Sequence, residues 1–317
     1  GTFTRDLSAI ADWLTECAVT TVAMESTGVY WIPLYQVLEE RGFEVCLVNA
    51  WSVKNAPGRP ETDREDCQWI QRLHSYGLLS ASFRPDDQIC QIRAVQRHRD
   101  SLIRQGVRHI QHMQKALFQM NLLLDNVISD ITSVTGMAII QRILDGERNP
   151  VKLAQLRNPH IKSTEEEIAK ALEGDYREEH LFVLRQAHTA YTFAQRQIRE
   201  CDREIERRLR ELDKKLDASQ VPLPPATQGH QKPQKNEFVF EVEARSYVYE
   251  IFGVDLTQVP GFQAATILIV LTEIGTDLHQ WKTAKHFTSW LGLAPNKKAS
   301  GGKLKSSETK PVQSRAA

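Results

Sequence analysis

Three carboxylates stand where short apolar runs give out. Glu25 ends the run that starts near Thr20 and opens Ser26-Thr27-Gly28; Asp63 and Asp66 lie three apart in Thr62-Asp63-Arg64-Glu65-Asp66, a spacing that shares one helical face. Hard oxygen donors around an open position are what Mg²⁺ needs for phosphoryl chemistry. Each also has a plainer explanation. Glu25 could sit exposed at a strand end, and Thr62 with Glu65 matches a capping box, where acidic first-turn neighbours favour the helix dipole. The fourth candidate is Ser300 in Ser300-Gly301-Gly302-Lys303, a hydroxyl between flexible residues with Lys297, Lys298 and Lys305 nearby to attract a phosphate. A flexible basic tail is the alternative. No His or Asp stands close in sequence to complete a hydrolase triad with this serine.

Basic residues gather twice. From Arg84 to Lys115 there are seven Lys or Arg against three acidic residues, and from Asn296 onward six against one. Either stretch could lie along a nucleic-acid backbone, and a solvated helix face is the alternative for the first. His98, His109 and His112 are interspersed there; with no partnering cluster, His109 and His112 read as surface residues rather than metal ligands. Val259-Pro260-Gly261-Phe262 is similar to a helix-hairpin-helix turn that offers backbone N–H groups to a DNA phosphate, except that Gln263 replaces the usual second glycine.

These side chains need a frame. Ile10, Trp13 and Leu14 fall at helical spacing over residues 8–17, and residues 20–24 form a β-branched apolar run. A second helix over 27–40 ends at Gly42, a second strand spans 43–48, and a loop with Pro57, Gly58 and Pro60 leads to a helix over 62–79. Two strands joined by one helix imply a right-handed parallel unit, whose ligands gather at the carboxyl ends of the strands. Both acidic candidates follow such ends. Residues 91–125 read as one long helix, residues 130–177 as short helices separated by Gly136, Gly146, Pro150, Pro159 and Gly174, and residues 180–217 as a second long helix. Ile198, Cys201, Ile205, Leu209 and Leu212 step along it by three and four, so it must pair with another helix, within the chain or between chains. A Pro- and Gln-rich stretch over 218–237 has linker composition, and a mostly helical region with a glycine-rich tail follows from Phe238.

Composition closes off several classes. The 317 residues carry 40 Lys plus Arg and 40 Asp plus Glu, so the chain as a whole is no polycation, and any anion-binding surface must be local. A content of 41% hydrophobic and 25% charged residues excludes a disordered or fibrous chain. No apolar run approaches a membrane span. Five dispersed cysteines without a Cys-x-x-Cys pair argue against a disulfide framework or a zinc ribbon and fit a reducing cytoplasm.

Taken in order, Met24-Glu25-Ser26-Thr27-Gly28-Val29-Tyr30-Trp31, Val48-Asn49-Ala50, Pro57-Gly58-Arg59, Thr62-Asp63-x-x-Asp66, Gly292-Leu293-x-Pro295 and Ser300-Gly301-Gly302-Lys303 resemble one group. It is the insertion-sequence 110 family of transposases, RNA-guided bridge recombinases with a RuvC-like DEDD domain and a C-terminal serine domain. The resemblance covers essentially the whole chain. It implies an α/β RuvC-like (RNase H-like) domain over 1–130, a helical, coiled-coil-like region over 131–217, a linker over 218–237 and a mostly α serine domain over 238–317. It further implies Glu25, Asp63 and Asp66 as Mg²⁺ ligands and Ser300 as the nucleophile. Gly261, Lys297, Lys298, Gly301, Gly302 and Lys303 would contact nucleic acid.

The implied partners are DNA, a structured non-coding guide RNA and further copies of the chain, as a dimer or tetramer with the 180–217 helix at the pairing surface. The implied location is the bacterial cytoplasm, at the nucleoid. Three departures are visible. The family's first carboxylate belongs to an opening strand that would precede Gly1, and Asp6 does not replace it. Glu61 stands where Lys is common, and the helix expected after Thr309-Lys310 is cut short. The chain as written is therefore expected to fold imperfectly and to be inactive alone. Two other activities fit the same residues: a nucleic-acid-binding remnant without catalysis, and a junction nuclease that uses the carboxylates alone.

Overall fold

The computed structural model describes residues 1–49, 62–217, 220–225, 236–295 and 298–309, and of Asp63, Lys298 and Ala299 the backbone only. Most of the expected linker, the Pro57-Gly58-Arg59 turn, Glu61, Lys297 and the stretch from Lys310 onward lie outside these residues. Packing divides the chain into two compact units, residues 1–84 and residues 85–317.

In the first unit, α1 (Thr4–Glu16), β1 (Thr21–Glu25), α2 (Trp31–Glu40), β2 (Glu44–Val48) and α3 (Asp63–Ser75) follow one another. The two strands pair in parallel, Thr21 opposite Glu44 and Glu25 opposite Val48. Parallel strands need a crossover connection, and α2 supplies it, as the alternation of patterns implied. The residues at 27–30, read as helix, form a turn in which Gly28 takes a φ of 57°, so α2 starts later than expected. Val48 and Ile70 are buried, with Ala23, Cys46, Trp69 and Leu79 packed against them.

The second unit is built on two long antiparallel helices, α4 (Asp87–Gln119) and α9 (Glu178–Glu211). Their 33 and 34 residues give each a length of about 50 Å. Ile198 and Cys201 meet Leu102, whereas Ile205, Leu209 and Leu212 cluster with Ile89 and Ile92. The stepwise apolar seam thus finds its partner inside the chain. Of the two partners that the seam implied, a helix of this chain or of another copy, α4 is the one that covers Ile198, Cys201, Ile205, Leu209 and Leu212.

Between the long helices, α5 (Leu124–Val127), α6 (Val134–Leu144), α7 (Pro150–Ala154) and α8 (Glu165–Ala171) close one end of the pair. Ile139, Ile140, Ile143, Leu153 and Ile168 are buried there with Met113 and Leu184. The first long helix stops at Gln119 rather than Asp125, because the buried Leu122 turns inward and the Leu123 N–H donates to the Ala171 carbonyl at 2.8 Å. Gly136, read as a separator, lies in the first turn of α6. A Cβ on it would stand 2.2 Å from the Ile131 carbonyl oxygen, so close backbone approach, not chain breaking, explains this glycine.

At the other end, the chain returns after the Pro- and Gln-rich stretch and is anchored by two buried carboxylates of α9. Asp202 accepts from Arg99 Nε at 2.5 Å and from the Val239 N–H at 3.3 Å, while the Arg99 guanidinium also donates to the Asn236 and Glu237 carbonyls. Glu206 accepts from the N–H groups of Glu241 and Val242 and from the Tyr247 hydroxyl at 2.8 Å. Then come α10 (Ala244–Phe252), a single 3₁₀ turn (Leu256–Gln258), α11 (Ala264–Ile274) and α12 (Ala284–Trp290). Arg93 fastens α11 to α4 through the Thr272 and Glu273 carbonyls. The last described element is an antiparallel hairpin, β3 (Lys298–Ser300) and β4 (Lys303–Ser306), where the sequence suggested a glycine-rich tail. At coarse grain the expected classes hold: α/β in the first unit, mostly helix beyond it. No helix among the described residues is long and apolar enough to cross a membrane.

Candidate active site

Glu25 is the last residue of β1, half-buried, and its carboxylate accepts from the Thr27 hydroxyl. The strand end is pinned by Ser26, whose N–H and hydroxyl both donate to the Val48 carbonyl, at 2.9 and 3.0 Å. At the opposite end of β1, Thr21 Oγ1 lies 3.0 Å from His74 Nε2 near the C-terminus of α3. Ile70, one turn earlier, packs on Val48 and Ala23, further along the strands. So α3 runs antiparallel to β1. Four strand residues cover about 13 Å, and the eight helical residues from His74 back to Asp66 cover about 12 Å. Asp66 therefore comes level with the Glu25 end of the unit, the carboxyl edge where open parallel sheets hold their ligands.

The cap of α3 is made by other residues. The Thr62 hydroxyl accepts the Glu65 N–H at 3.4 Å and donates to the Glu65 carboxylate at 2.7 Å. The capping explanation thus accounts for Thr62 and Glu65, while Asp66, half-buried on the next turn, has its N–H on the Thr62 carbonyl at 2.8 Å. Asp63 opens the helix, and its side chain lies outside the description. Among the described residues, no three His, Cys, Asp or Glu side chains stand close enough to hold a metal ion. The donor type at this edge still suits Mg²⁺, which binds through one or two carboxylates and keeps its remaining positions for water and phosphate.

Ser300 belongs to the second unit. It ends β3, is exposed and pairs with Lys303 across the hairpin. Gly301 and Gly302 form the two-residue turn with φ of 59° and 76°, and nothing lies within 4 Å of the Cβ that either lacks. Two successive positive φ values are the requirement of a type I′ hairpin turn, so the glycines are there for backbone conformation, not for room. They hold the serine at a defined tip. An antiparallel bridge between Pro295 and Thr309 closes the base of the hairpin. Lys303 is exposed beside the serine, Lys298 lies at the start of β3, and Lys297 is outside the described residues.

Gly261, at a φ of 88°, lies in a tight turn closed by the Phe262 N–H on the Val259 carbonyl at 3.1 Å. This turn joins the 3₁₀ turn to α11, not two full helices, which sets it apart from a helix-hairpin-helix.

The basic cluster of 84–115 divides in two. Arg84 pairs with Glu39, Arg93 and Arg97 with Glu273, and Arg99 with Asp202, so these serve the fold. Arg104, Arg108 and Lys115 lie exposed on α4 and have no carboxylate partner among the described residues. His109 and His112 face each other with ring centroids 6.3 Å apart; burial, then the neighbouring His112, holds the pKa of His109 below the ordinary range. Asp202 and Glu206 escaped the sequence reading altogether, since a carboxylate inside a highly charged helix looks solvated until its partners, over thirty residues away, are known.

Residues 2–122, which contain the carboxylate edge, match a family model described as a transposase, of the DEDD type of the IS110 group. Residues 255–316, which contain the serine hairpin, match the model described as Transposase IS116/IS110/IS902 family. The chain belongs to the IS110 family of transposases. The carboxylate edge thus falls inside one matched transposase region and the serine hairpin inside the other. DNA binding and recombination of insertion sequences are what these IS110 domains carry, and divalent-metal dependence goes with the DEDD type. No curated protein matches the chain.

Proposed function

We propose that this IS110-family chain cuts and rejoins insertion-sequence DNA through Ser300, with Glu25, Asp63 and Asp66 as Mg²⁺-binding carboxylates of a RuvC-like domain. The observation that carries the reading is the setting of Ser300: an exposed hydroxyl at a strand end, ahead of two glycines at positive φ. In the first step the Ser300 oxygen attacks a backbone phosphorus, the P–O bond to the departing strand breaks, the serine proton passes to solvent and the departing oxygen takes up a proton. The phosphoserine ester keeps the bond energy. In the second step a deoxyribose hydroxyl attacks that phosphorus and Ser300 leaves, regaining its proton, so joining needs no ATP. Lys303, with Lys297 and Lys298, would attract the phosphate, and the Gly301 and Gly302 backbone and the turn at Gly261 would touch nucleic-acid backbone. Mg²⁺ held by the carboxylates would neutralise the charge that builds on the phosphate in the transition state. The same reading includes a structured guide RNA, assembly as a dimer or tetramer, action at the bacterial nucleoid, and the domain bounds at 130, 217 and 237.

The test is a covalent adduct assay. The chain is incubated with element DNA, its non-coding RNA and Mg²⁺, and protein–DNA adducts are resolved under denaturing conditions. An adduct that Ser300→Ala removes supports the proposal. Cleavage that survives Ser300→Ala but not Asp66→Asn points to a junction nuclease. Binding without cleavage or adduct points to the binding remnant.

A further inference from the structure

The turn that follows β1 is closed by its own bonds. Ser26 ties the strand end to β2, Trp31 Nε1 donates to the Gly28 carbonyl at 3.2 Å, and the Ile32 N–H donates to the Val29 carbonyl at 3.3 Å. Gly28 takes its φ of 57° with the Tyr30 ring 3.4 Å from where a Cβ would stand, so that ring lies against the turn. None of these contacts uses the Thr27 hydroxyl. It donates instead to Glu25 Oε1, two residues back at the end of β1.

The first unit holds a second Thr–Glu pair, and the contrast is informative. The Thr62 hydroxyl takes the Glu65 N–H as well as giving its proton to the Glu65 carboxylate, so that pair starts a helix. Thr27 caps no helix: α2 begins four residues later at Trp31, and its N-cap residue, Tyr30, makes no side-chain capping bond. Thr27 is exposed, and a hydroxyl–carboxylate bond that water can replace adds little to stability. Its effect falls on Glu25. A glutamate side chain turns about several bonds, and a cation that binds it must stop that motion. A carboxylate already held at one oxygen has given up much of the motion beforehand, as partners behind a metal ligand commonly arrange. Capacity remains, because an ionised carboxylate offers about four lone-pair positions and one hydroxyl proton fills one of them. We infer that Thr27 is a positioning residue, its hydroxyl holding the Glu25 carboxylate in the orientation that receives a divalent cation. The inference rests on the reading of Glu25 as a Mg²⁺ ligand and adds the residue that orients it. The hydroxyl is the working group, not the branched shape of the side chain.

Terbium(III) is a suitable probe: a hard cation that takes oxygen donors and emits when an aromatic ring nearby absorbs, as Tyr30 and Trp31 in the same turn can. It is titrated into the full chain, and the emission that excess Mg²⁺ displaces is followed. Glu25→Gln should remove most of that emission. Thr27→Val keeps the branched shape without the hydroxyl and should raise the half-saturating terbium concentration about 10-fold. Thr27→Ser keeps the hydroxyl without the methyl and should bind within about twofold of wild type. A residue that served only the shape of the turn would give the opposite order, with Val close to wild type and Ser weaker. Val within twofold of wild type, while Glu25→Gln loses the emission, overturns the inference and leaves the Mg²⁺ reading of Glu25 in place. Ser as weak as Val overturns it as well, since the hydroxyl would then not be the group that matters. Emission unchanged in Glu25→Gln overturns both the inference and the reading of Glu25 on which it rests.

Discussion

At Ser300 the backbone does the positioning. The hydroxyl sits on a strand end, and the turn beyond it needs two residues at positive φ, which only glycine adopts without cost. Ser300→Ala is expected to abolish the covalent adduct, a loss of at least ~10³-fold in adduct yield, while leaving nucleic-acid affinity within twofold. Gly302→Val would put a β-branched residue at a φ of 76°, a strain of about 1–2 kcal/mol. It should slow adduct formation and speed amide exchange at Lys303 without changing global stability. That serine, Glu25, Asp63 and Asp66 were all legible as candidates from type and spacing. What sequence could not show was whether Thr62 and Glu65 form the cap, because a capping box is a question of which oxygen meets which N–H. Here Thr62 and Glu65 make the cap.

Among the elements, α9 packs against α4 along one seam and carries the two buried anchoring carboxylates. Its seam against α4 was readable from the period of Ile198, Cys201, Ile205, Leu209 and Leu212, since burial on one side of a helix imposes that period. Which helix would fill the seam was not readable, because a partner in the same chain and a partner in another copy impose the same pattern. The anchoring carboxylates have no periodic signal at all. Asp202→Ala is expected to destabilise the second unit by about 3–5 kcal/mol, since it strands the buried Arg99 guanidinium without its partner. Urea unfolding measures the loss, and limited proteolysis should show earlier cutting near residues 236–242. Gly136→Ala in α6 should cost about 1–3 kcal/mol through overpacking against the Ile131 carbonyl, with a lowered thermal midpoint as the readout. A stability unchanged within error would show that the first turn of α6 yields easily.

For the molecule as a whole, acid should loosen the C-terminal half of the second unit. Burial pushes the Glu206 carboxyl up, but the N–H groups of Glu241 and Val242, the Tyr247 hydroxyl and Arg210 outweigh it, and its pKa falls below the ordinary range. Burial likewise opposes, and Arg245, Thr257 and Gln258 overcome it, at Asp255, whose pKa is also lowered. A lowered carboxylate pKa means that the unfolded chain takes up the proton first. The stability from these two groups is therefore complete above the unfolded values of about 4.3 and 3.9 and is lost as pH falls through and below that range. Asp202 works in the other direction, its pKa raised by burial against the pull of Arg99, and offsets part of the loss on acidification. Chemical denaturation should give a stability nearly constant from pH 7 to about 5 and falling below about 4.5. Glu206→Gln should flatten that fall; an unchanged pH profile would remove Glu206 from the account.

Sequence alone determined the local and the chemical: strand, helix and strand at the start, two long helices, the apolar seam, the acidic pair and the serine before two glycines. Each of these is written in spacing, and spacing is governed by the helical and strand repeats and by the φ that each residue type tolerates. The tertiary structure decided everything that joins distant residues. It paired α9 with α4, turned the expected tail into a hairpin, and spent Arg84, Arg93, Arg97 and Arg99 on carboxylates of the fold. The physical reason is the same in every case: a charge or an apolar face has the same appearance in sequence whether water, another helix or a nucleic acid meets it, and only folding selects the partner.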